Sequence, residues 1–486
     1  MRASNILVFV ISALTLSSCS GRKFPPGFKF GAATAAYQVE GAWNVSDKSP
    51  SIWDTFTHDH PEQILDGSNG DVACDSYHLW EQDIQLAKDL GLHFYRFSLS
   101  WPRLLPNGFA NHISEDGSRY YNNLIDGLIA NGIEPMITLF HWDLPQNLQD
   151  LGGMTNPLIA EWFGAYSRVA YTLFGDRVKT WSTFNEPLAI CDVAYEGGKL
   201  APGIASPETG IYLCAKNLMI AHATSYRIYN EEFRAKYNGK VGIVNHHVWF
   251  TPYSSEYEEL THLTRDLGFL YSHPIYSETG GWPPSVEAFV ASKSEKEGYS
   301  TSRLPKFTAE EIEFVKGTAD YYGFNYYTSR LVREANNSTV FAWPSNGNAE
   351  LNVELIPDPN WDAGLDWLVS YPPGIRAQLN LIREYYGNVE IIITENGFST
   401  STDELDDVTR TQYFRDHLEQ VLLANTEDGV NVTGYTAWSL IDNYEWNSGY
   451  TSRFGIVRVD FTDPLRSRTP RASAEYYADV IRHHSL

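Results

Sequence analysis

The sequence predicts an α/β chain whose strands close into one (β/α)₈ barrel with long loops after several strands. Three observations carry that expectation. Eight short runs rich in β-branched and aromatic residues alternate with segments of helical period. No linker of low complexity divides the 486 residues. Almost every strand-like run also ends in polar or aromatic residues, as strands do when they converge on one mouth.

In order, the runs are FKFGAATAAYQ, FYRFSLSW, EPMITLFHW, VKTWSTFNEP, KVGIVNHHVWF, DYYGFNYYTS, EIIITENG and TGYTAWSL. Between them lie HLWEQDIQLAKDLG, YYNNLIDGLIANG, AEWFGAYSRVAYTLFG and RTQYFRDHLEQVLLANTEDG, with apolar residues at helical spacing and a closing Gly. Strict βα alternation favours a parallel sheet. An open doubly wound sheet is the alternative, but no G-x-G-x-x-G turn follows the first strand. Long stretches after the first, fourth, fifth and sixth runs read as loop insertions at one face.

Before the barrel, Ile6 to Leu16 form a short apolar run after Arg2, followed by Ser17, Ser18 and Ser20, the pattern of a cleaved export signal over residues 1–20. LSSC, ending at Cys19, also fits a lipid-anchoring site. The expected domain is then 21–486. No later segment reaches the roughly 20 apolar residues of a membrane span. A net charge of −24 argues against nucleic acid or an anionic membrane surface as partner. The 14 Trp, 30 Tyr and 24 Phe make an aromatic-rich chain, suited to core filling and to the flat faces of sugars.

Cys74, Cys191 and Cys214 remain once Cys19 is set aside, and one disulfide plus one free thiol is the simplest allocation. Cys191 and Cys214 bracket the loop EGGKLAPGIASPETG, where they either form a crosslink that limits loop freedom or stay as two buried thiols. Sequons stand at Asn44, Asn336, Asn337 and Asn431, compatible with glycosylation during export. Adjacent histidines at His246 and His247 raise metal binding, but neighbouring strand residues face opposite sides. His483 and His484 read as a solvated tail. No cofactor or metal is expected.

At the strand ends stand Gln38, Arg96, His141 with Trp142, Asn185 with Glu186, Asn325 with Tyr327, Glu395 with Asn396, and Trp438. Glu186 and Glu395 each follow an otherwise apolar strand. Two carboxylates across a barrel mouth are what acetal hydrolysis needs, one to protonate the leaving oxygen and one to meet the oxocarbenium-like carbon.

With FKFGAATAAYQVEGAW, YRFSLSWPRLLP, FHWDLPQ, TFNEP, ITENG and WSLIDNYEWNSGYTSRFG in that order, the chain resembles glycoside hydrolase family 1, the β-glucosidase family. The resemblance implies a TIM barrel and a retaining double displacement, with Glu395 as nucleophile and Glu186 as acid/base. It implies that Arg96 and Tyr327 favour the charged form of Glu395, and that Glu395's charge helps Glu186 hold its proton. Asn185 matches the contact to the sugar 2-hydroxyl, and Gln38, His141, Trp438, Glu445 and Trp446 match positions that grip the glycone. Trp142, Asn325 and Phe454 are taken with them as pocket residues.

The implied substrate is a small β-glucoside or oligosaccharide, and the oligomeric state is left open. A thioglucosidase on the same scaffold is the alternative; plant myrosinases carry Gln at the acid/base, whereas Glu186 is intact here. Arg330 and Arg333 are candidates to pair a sulfated aglycone. A sugar-binding relative without catalysis would lack one or both glutamates.

Overall fold

The computed structural model describes residues 22–206, 208–339, 348–365 and 367–486. The apolar run at 6–16 and Cys19 lie outside them. Eight strands form the ring: β1 Lys29–Ala33, β2 Phe94–Ser98, β3 Glu134–Phe140, β4 Thr180–Asn185, β5 Lys240–Pro252, β6 Tyr322–Glu334, β7 Ile391–Asn396 and β8 Val432–Trp438. Each pairs in parallel with its neighbours, and β7 pairs with both β6 and β8, so the sheet closes on itself. Closure excludes the open doubly wound sheet. Every anticipated run contributes one of these strands.

The helices follow the apolar periodicity. Ser76–Asp89, Glu115–Ala130, Ile159–Phe174 and Val408–Thr426 cover the four helical segments read from the sequence. Glu115–Ala130 starts where Ser114 accepts from the Gly117 amide, with Glu115 and Asp116 in its first turn, and it buries Tyr121, Leu124, Ile125 and Leu128 against the sheet. At the N-terminal end of the ring, Phe94, Met136 and Tyr321 pack together and close the barrel floor. The interior is therefore solid below and open only at the C-terminal ends.

Strand register sets the level of the site. Ala33 lies opposite Arg96 on one side and Trp438 on the other. Asn325 lies opposite His246 of β5 and Glu395 of β7. Gly397, just after β7, is there because the chain passes tightly against β8: a Cβ would fall 1.9 Å from the Trp438 carbonyl oxygen.

Cys191 and Cys214 form a disulfide that ties the Ala189–Glu196 segment to the helix Gly210–Ile228, and Cys74 is a buried free thiol. The C-terminus departs from the solvated tail expected for it. Phe24 donates its amide to the His484 carbonyl (3.0 Å), the His484 ring packs edge-on against Phe24 and Phe30, and Leu486 donates to the Arg22 carbonyl. No helix among the described residues is long and apolar enough to cross a membrane. Asn44, Asn336, Asn337 and Asn431 are all exposed.

Candidate active site

Arg96 organises the barrel mouth. Its guanidinium is 1% exposed and reaches three other strands: Nε donates to Thr138 Oγ1 (3.0 Å), Nη1 to Glu395 Oε1 (2.6 Å) and Nη2 to Asn185 Oδ1 (2.7 Å). Tyr327 donates its hydroxyl to the other Glu395 oxygen, Oε2, at 2.7 Å. Burial and the charges of Glu395 and Glu186 hold the Tyr327 hydroxyl well above its ordinary range, so it is a donor at any working pH.

Glu186 stands across from this pair in a left-handed backbone conformation, φ 51°. Asn325 Nδ2 donates to its Oε1 at 2.7 Å, and His246 Nδ1 donates to the same oxygen at 3.2 Å. Trp142 (φ 76°) and Trp446 (φ 49°) share the left-handed conformation. Three non-glycine residues strained in one mouth mark a place where side-chain direction outweighs backbone comfort.

The amide of Asn185 fixes a histidine tautomer. Its Oδ1 accepts from Arg96 and from Asn325 Nδ2, so Nδ2 is the atom that donates to His141 Nε2 at 3.1 Å. His141 then carries its proton on Nδ1. Burial first, and Arg96 second, hold the ring neutral, well below the usual histidine range. It lies between two indoles, near-parallel to Trp438 at 5.8 Å and to Trp446 at 6.0 Å.

Above these residues opens a cleft of about 270 Å³ lined by both glutamates, His141, Trp142, Asn185, Tyr327, Trp438, Glu445, Trp446 and Phe454. Two expected pocket residues do not line it. Asn325 is fully buried behind the carboxylates, bridging Asn185 and Glu186 while Thr394 donates to its Oδ1. It braces the end of β4, where Asn185 and Glu186 stand. Gln38 is also fully buried; its Nε2 donates to Asn443, to the Tyr444 carbonyl and to Glu445, while its Oε1 has no partner among the described residues.

Arg330 and Arg333 do not reach the cleft. Arg330 is buried, bonded to Thr328 and to the Ser329 carbonyl, and Arg333 pairs with Glu354 at 2.6 Å. Among the described residues, the cation that lines the cleft wall is Lys199, from the loop the disulfide restrains. Residues that sequence reasoning did not single out also line it, among them His246, Trp367, Ala189, Val193 and Ser399. For His246 the signal was present, since strand alternation sends one histidine of the pair inward. His247 takes the outer face, where its Nε2 bonds the Tyr322 hydroxyl at 2.5 Å.

The polarity of the two carboxyls differs from the sequence expectation. Burial pushes Glu395 up, and the charge of Glu186 adds to it against Arg96 and Tyr327. Burial also pushes Glu186 up, but His246, Asn325 and Arg96 together bring it below the usual carboxylate range. The reason is His246, a contact made across strands 60 residues apart.

Fold and cleft together define a sugar-cleaving enzyme on a parallel barrel. Residues 20–486 match the model of Glycosyl hydrolase family 1. Myrosinase 1 of the aphid Brevicoryne brassicae is 44% identical over 466 residues, spanning 94% of this chain and 98% of that protein. Human cytosolic β-glucosidase is also 44% identical, over 95% of this chain and 99% of its own. The solved aphid myrosinase superposes with a TM-score of 0.91 at 43% identity, covering 96% of this chain and all of that one. A rice β-glucosidase variant, solved in a covalent complex with glucose, gives 0.86 at 37% identity over 94% and 98% of the two chains. The chain belongs to glycosyl hydrolase family 1. It is a retaining β-glycosidase of the β-glucosidase type.

Proposed function

We propose that Glu395 is the nucleophile and Glu186 the acid/base of this enzyme, and that its substrates are β-glucosides. The observation that carries the assignment is two buried carboxylates on β4 and β7 at the floor of one aromatic-walled cleft, each held differently. Glu395, oriented by Arg96 and Tyr327, attacks the anomeric carbon as the bond to the aglycone breaks. Glu186 serves the leaving oxygen. Water then attacks the same carbon, the ester to Glu395 breaks, and Glu186 takes the water's proton.

Asn185, with one amide hydrogen directed to His141, offers the other toward the sugar 2-hydroxyl. His141 donates from Nδ1, Glu445 accepts from a sugar hydroxyl with Gln38 behind it donating to its Oε2, and Trp438 and Trp446 offer their faces to the ring. A 2-deoxy-2-fluoroglucoside should trap a covalent adduct that peptide mass spectrometry finds on Glu395. A label elsewhere, or full activity in Glu395→Gln, would overturn the assignment.

A thioglucosidase is the second reading. The similarity to an aphid myrosinase favours it, as does Lys199 at the cleft wall, where an anionic aglycone would meet a cation. Rates on cellobiose and on the glucosinolate sinigrin separate the two. The apolar N-terminal run, the disulfide and the exposed sequons support export with glycosylation. Mature N-terminal sequencing and a mobility shift on deglycosylation test that.

A further inference from the structure

We propose that His246 is a positioning residue for the acid/base step, which biases this enzyme toward β-glycosides whose aglycones depart as stabilised anions. The inference rests on Glu186 being the acid/base. Its geometry is specific. His246 is 2% exposed, lies in the cleft wall, and donates Nδ1 to Glu186 Oε1 at 3.2 Å. Asn325 occupies the same oxygen at 2.7 Å. Oε1 is thus committed to the protein, and Oε2 is the oxygen left for the aglycone or the water. The imidazole is flanked by Tyr327, near-parallel with ring centroids 6.1 Å apart, and by Trp367, edge-on at 6.3 Å.

An imidazole bonded to a buried carboxyl lets the pair hold one proton in common. Among the described residues, the charged and ionisable groups of this site include Arg96 on β2, Tyr327 on β6, Glu395 on β7 and Glu445 and Lys199 at the cleft wall, with His247 on the outer face of β5. Burial and His246 push His247 down to about 3, so it stays neutral. When the proton rests on the imidazole, Glu186 is a carboxylate. It is then a good base for water and a poor acid for an alkoxide.

The electron flow follows from that state. Glu395 forms its bond to the anomeric carbon, and the bond to the aglycone breaks with its electron pair going to the aglycone. A thiolate, phenolate or enolate carries that charge unaided. A sugar or alkyl alkoxide must draw the proton from the His246–Glu186 pair. In the second step water's oxygen bonds the anomeric carbon as the bond to Glu395 breaks, the electron pair returns to the Glu395 carboxylate, and water's proton enters the pair.

The test compares wild type, His246→Asn and His246→Gln on β-glucosides with leaving groups from dinitrophenolate to simple alkoxide, across pH. Wild type should lose kcat/KM steeply as the leaving group becomes more basic. In the variants a hydrogen-bond donor remains but no shared proton does, so Glu186 keeps its own. The alkaline limb of the profile should rise by about 1 pH unit, and the ratio of alkyl to dinitrophenyl rates should rise about tenfold.

A flat dependence in wild type, or variants with an unmoved limb and ratio, would overturn the role of His246. Glu186→Ala supplies the control. It should lose alkyl glucosides and regain turnover with azide as the β-glucosyl azide. If that variant cleaved alkyl glucosides normally, the acid/base assignment itself would fall.

Discussion

Replacing Tyr327 by Phe removes one atom from the site and nothing else. The ring stays packed edge-on to Trp367 at 5.7 Å and to Phe454 at 5.9 Å, and near-parallel to His246 at 6.1 Å. What goes is the 2.7 Å hydrogen bond to Glu395 Oε2, made where both partners are buried. A hydrogen bond to a charged group contributes about 1.5–3 kcal/mol. It favours the ionised carboxylate over the neutral acid, so its loss raises the pH at which Glu395 ionises, by about 1–2 pH units at 1.36 kcal/mol per unit. Burial and Glu186 already push Glu395 up. The acid limb of kcat/KM on a 4-nitrophenyl β-glucoside should therefore move up by that amount. Well above the limb the loss should be small, because the carboxylate gives up its charge on attack. A uniform drop at all pH with an unmoved limb would refute the reasoning and make Tyr327 a packing residue.

Further outcomes follow from other contacts. Gln38→Leu removes a buried acceptor and a donor to Glu445, so kcat/KM on aryl β-glucosides should fall by about tenfold; an unchanged value would place Gln38 outside glycone recognition. Arg471 and Asp442 form a two-bond pair at 2.9 and 3.0 Å with both side chains fully buried, and Arg471→Met leaves Asp442 the Gly455 and Val459 amides and, as a cation, the more distant Arg453 at 3.7 Å. The expected cost is about 3 kcal/mol, read in denaturant unfolding, and a loss below about 1 kcal/mol would show the pair to be dispensable. Burial, and Glu40 after it, push the Asp143 carboxyl up to about 8, and its oxygens have no partner among the described residues. Its folded value lies above its unfolded one, so its stabilising contribution is complete below about pH 4 and is lost as pH rises through about 8. Asp143→Asn should flatten that slope, with Tm gaining on wild type between pH 5 and pH 9; parallel Tm curves would show that Asp143 does not titrate in that window.

The barrel was legible because its signals are local. Each strand announces itself within six or so residues, and a polar residue at the end of an apolar run needs no knowledge of the rest of the chain to be placed at the mouth. Arg96, Glu186, Tyr327 and Glu395 were found this way, and the register of β2, β6 and β7 brings them together. Depth was not legible. Asn325 lies inside β6 and Gln38 in the short helix Ala36–Val39 that follows β1, and both are fully buried against protein. Whether a side chain at that level reaches solvent depends on its neighbours' size across two strands, which no local pattern records. Arg330 and Arg333 failed for the same reason: both lie within β6, where Arg330 turns to Thr328 and Arg333 pairs with Glu354 on the antiparallel strand beside it.

His246 exposes a further limit, in the chemistry rather than the fold. Motifs assign roles to Glu186 and Glu395 through residue type, and residue type says that two glutamates are alike. Their difference comes from which donors the barrel sets beside each one. Glu395 receives a guanidinium and a phenol, and Glu186 an amide and an imidazole. A guanidinium cannot give up its proton at working pH, so Glu395 is supported by fixed charge. Glu186 is supported instead by an imidazole and an amide. On the proposed roles, the asymmetry between an attacking carboxylate and a proton-handling one lies in the donors that β5 and β6 set beside Glu186 and not in the glutamates themselves.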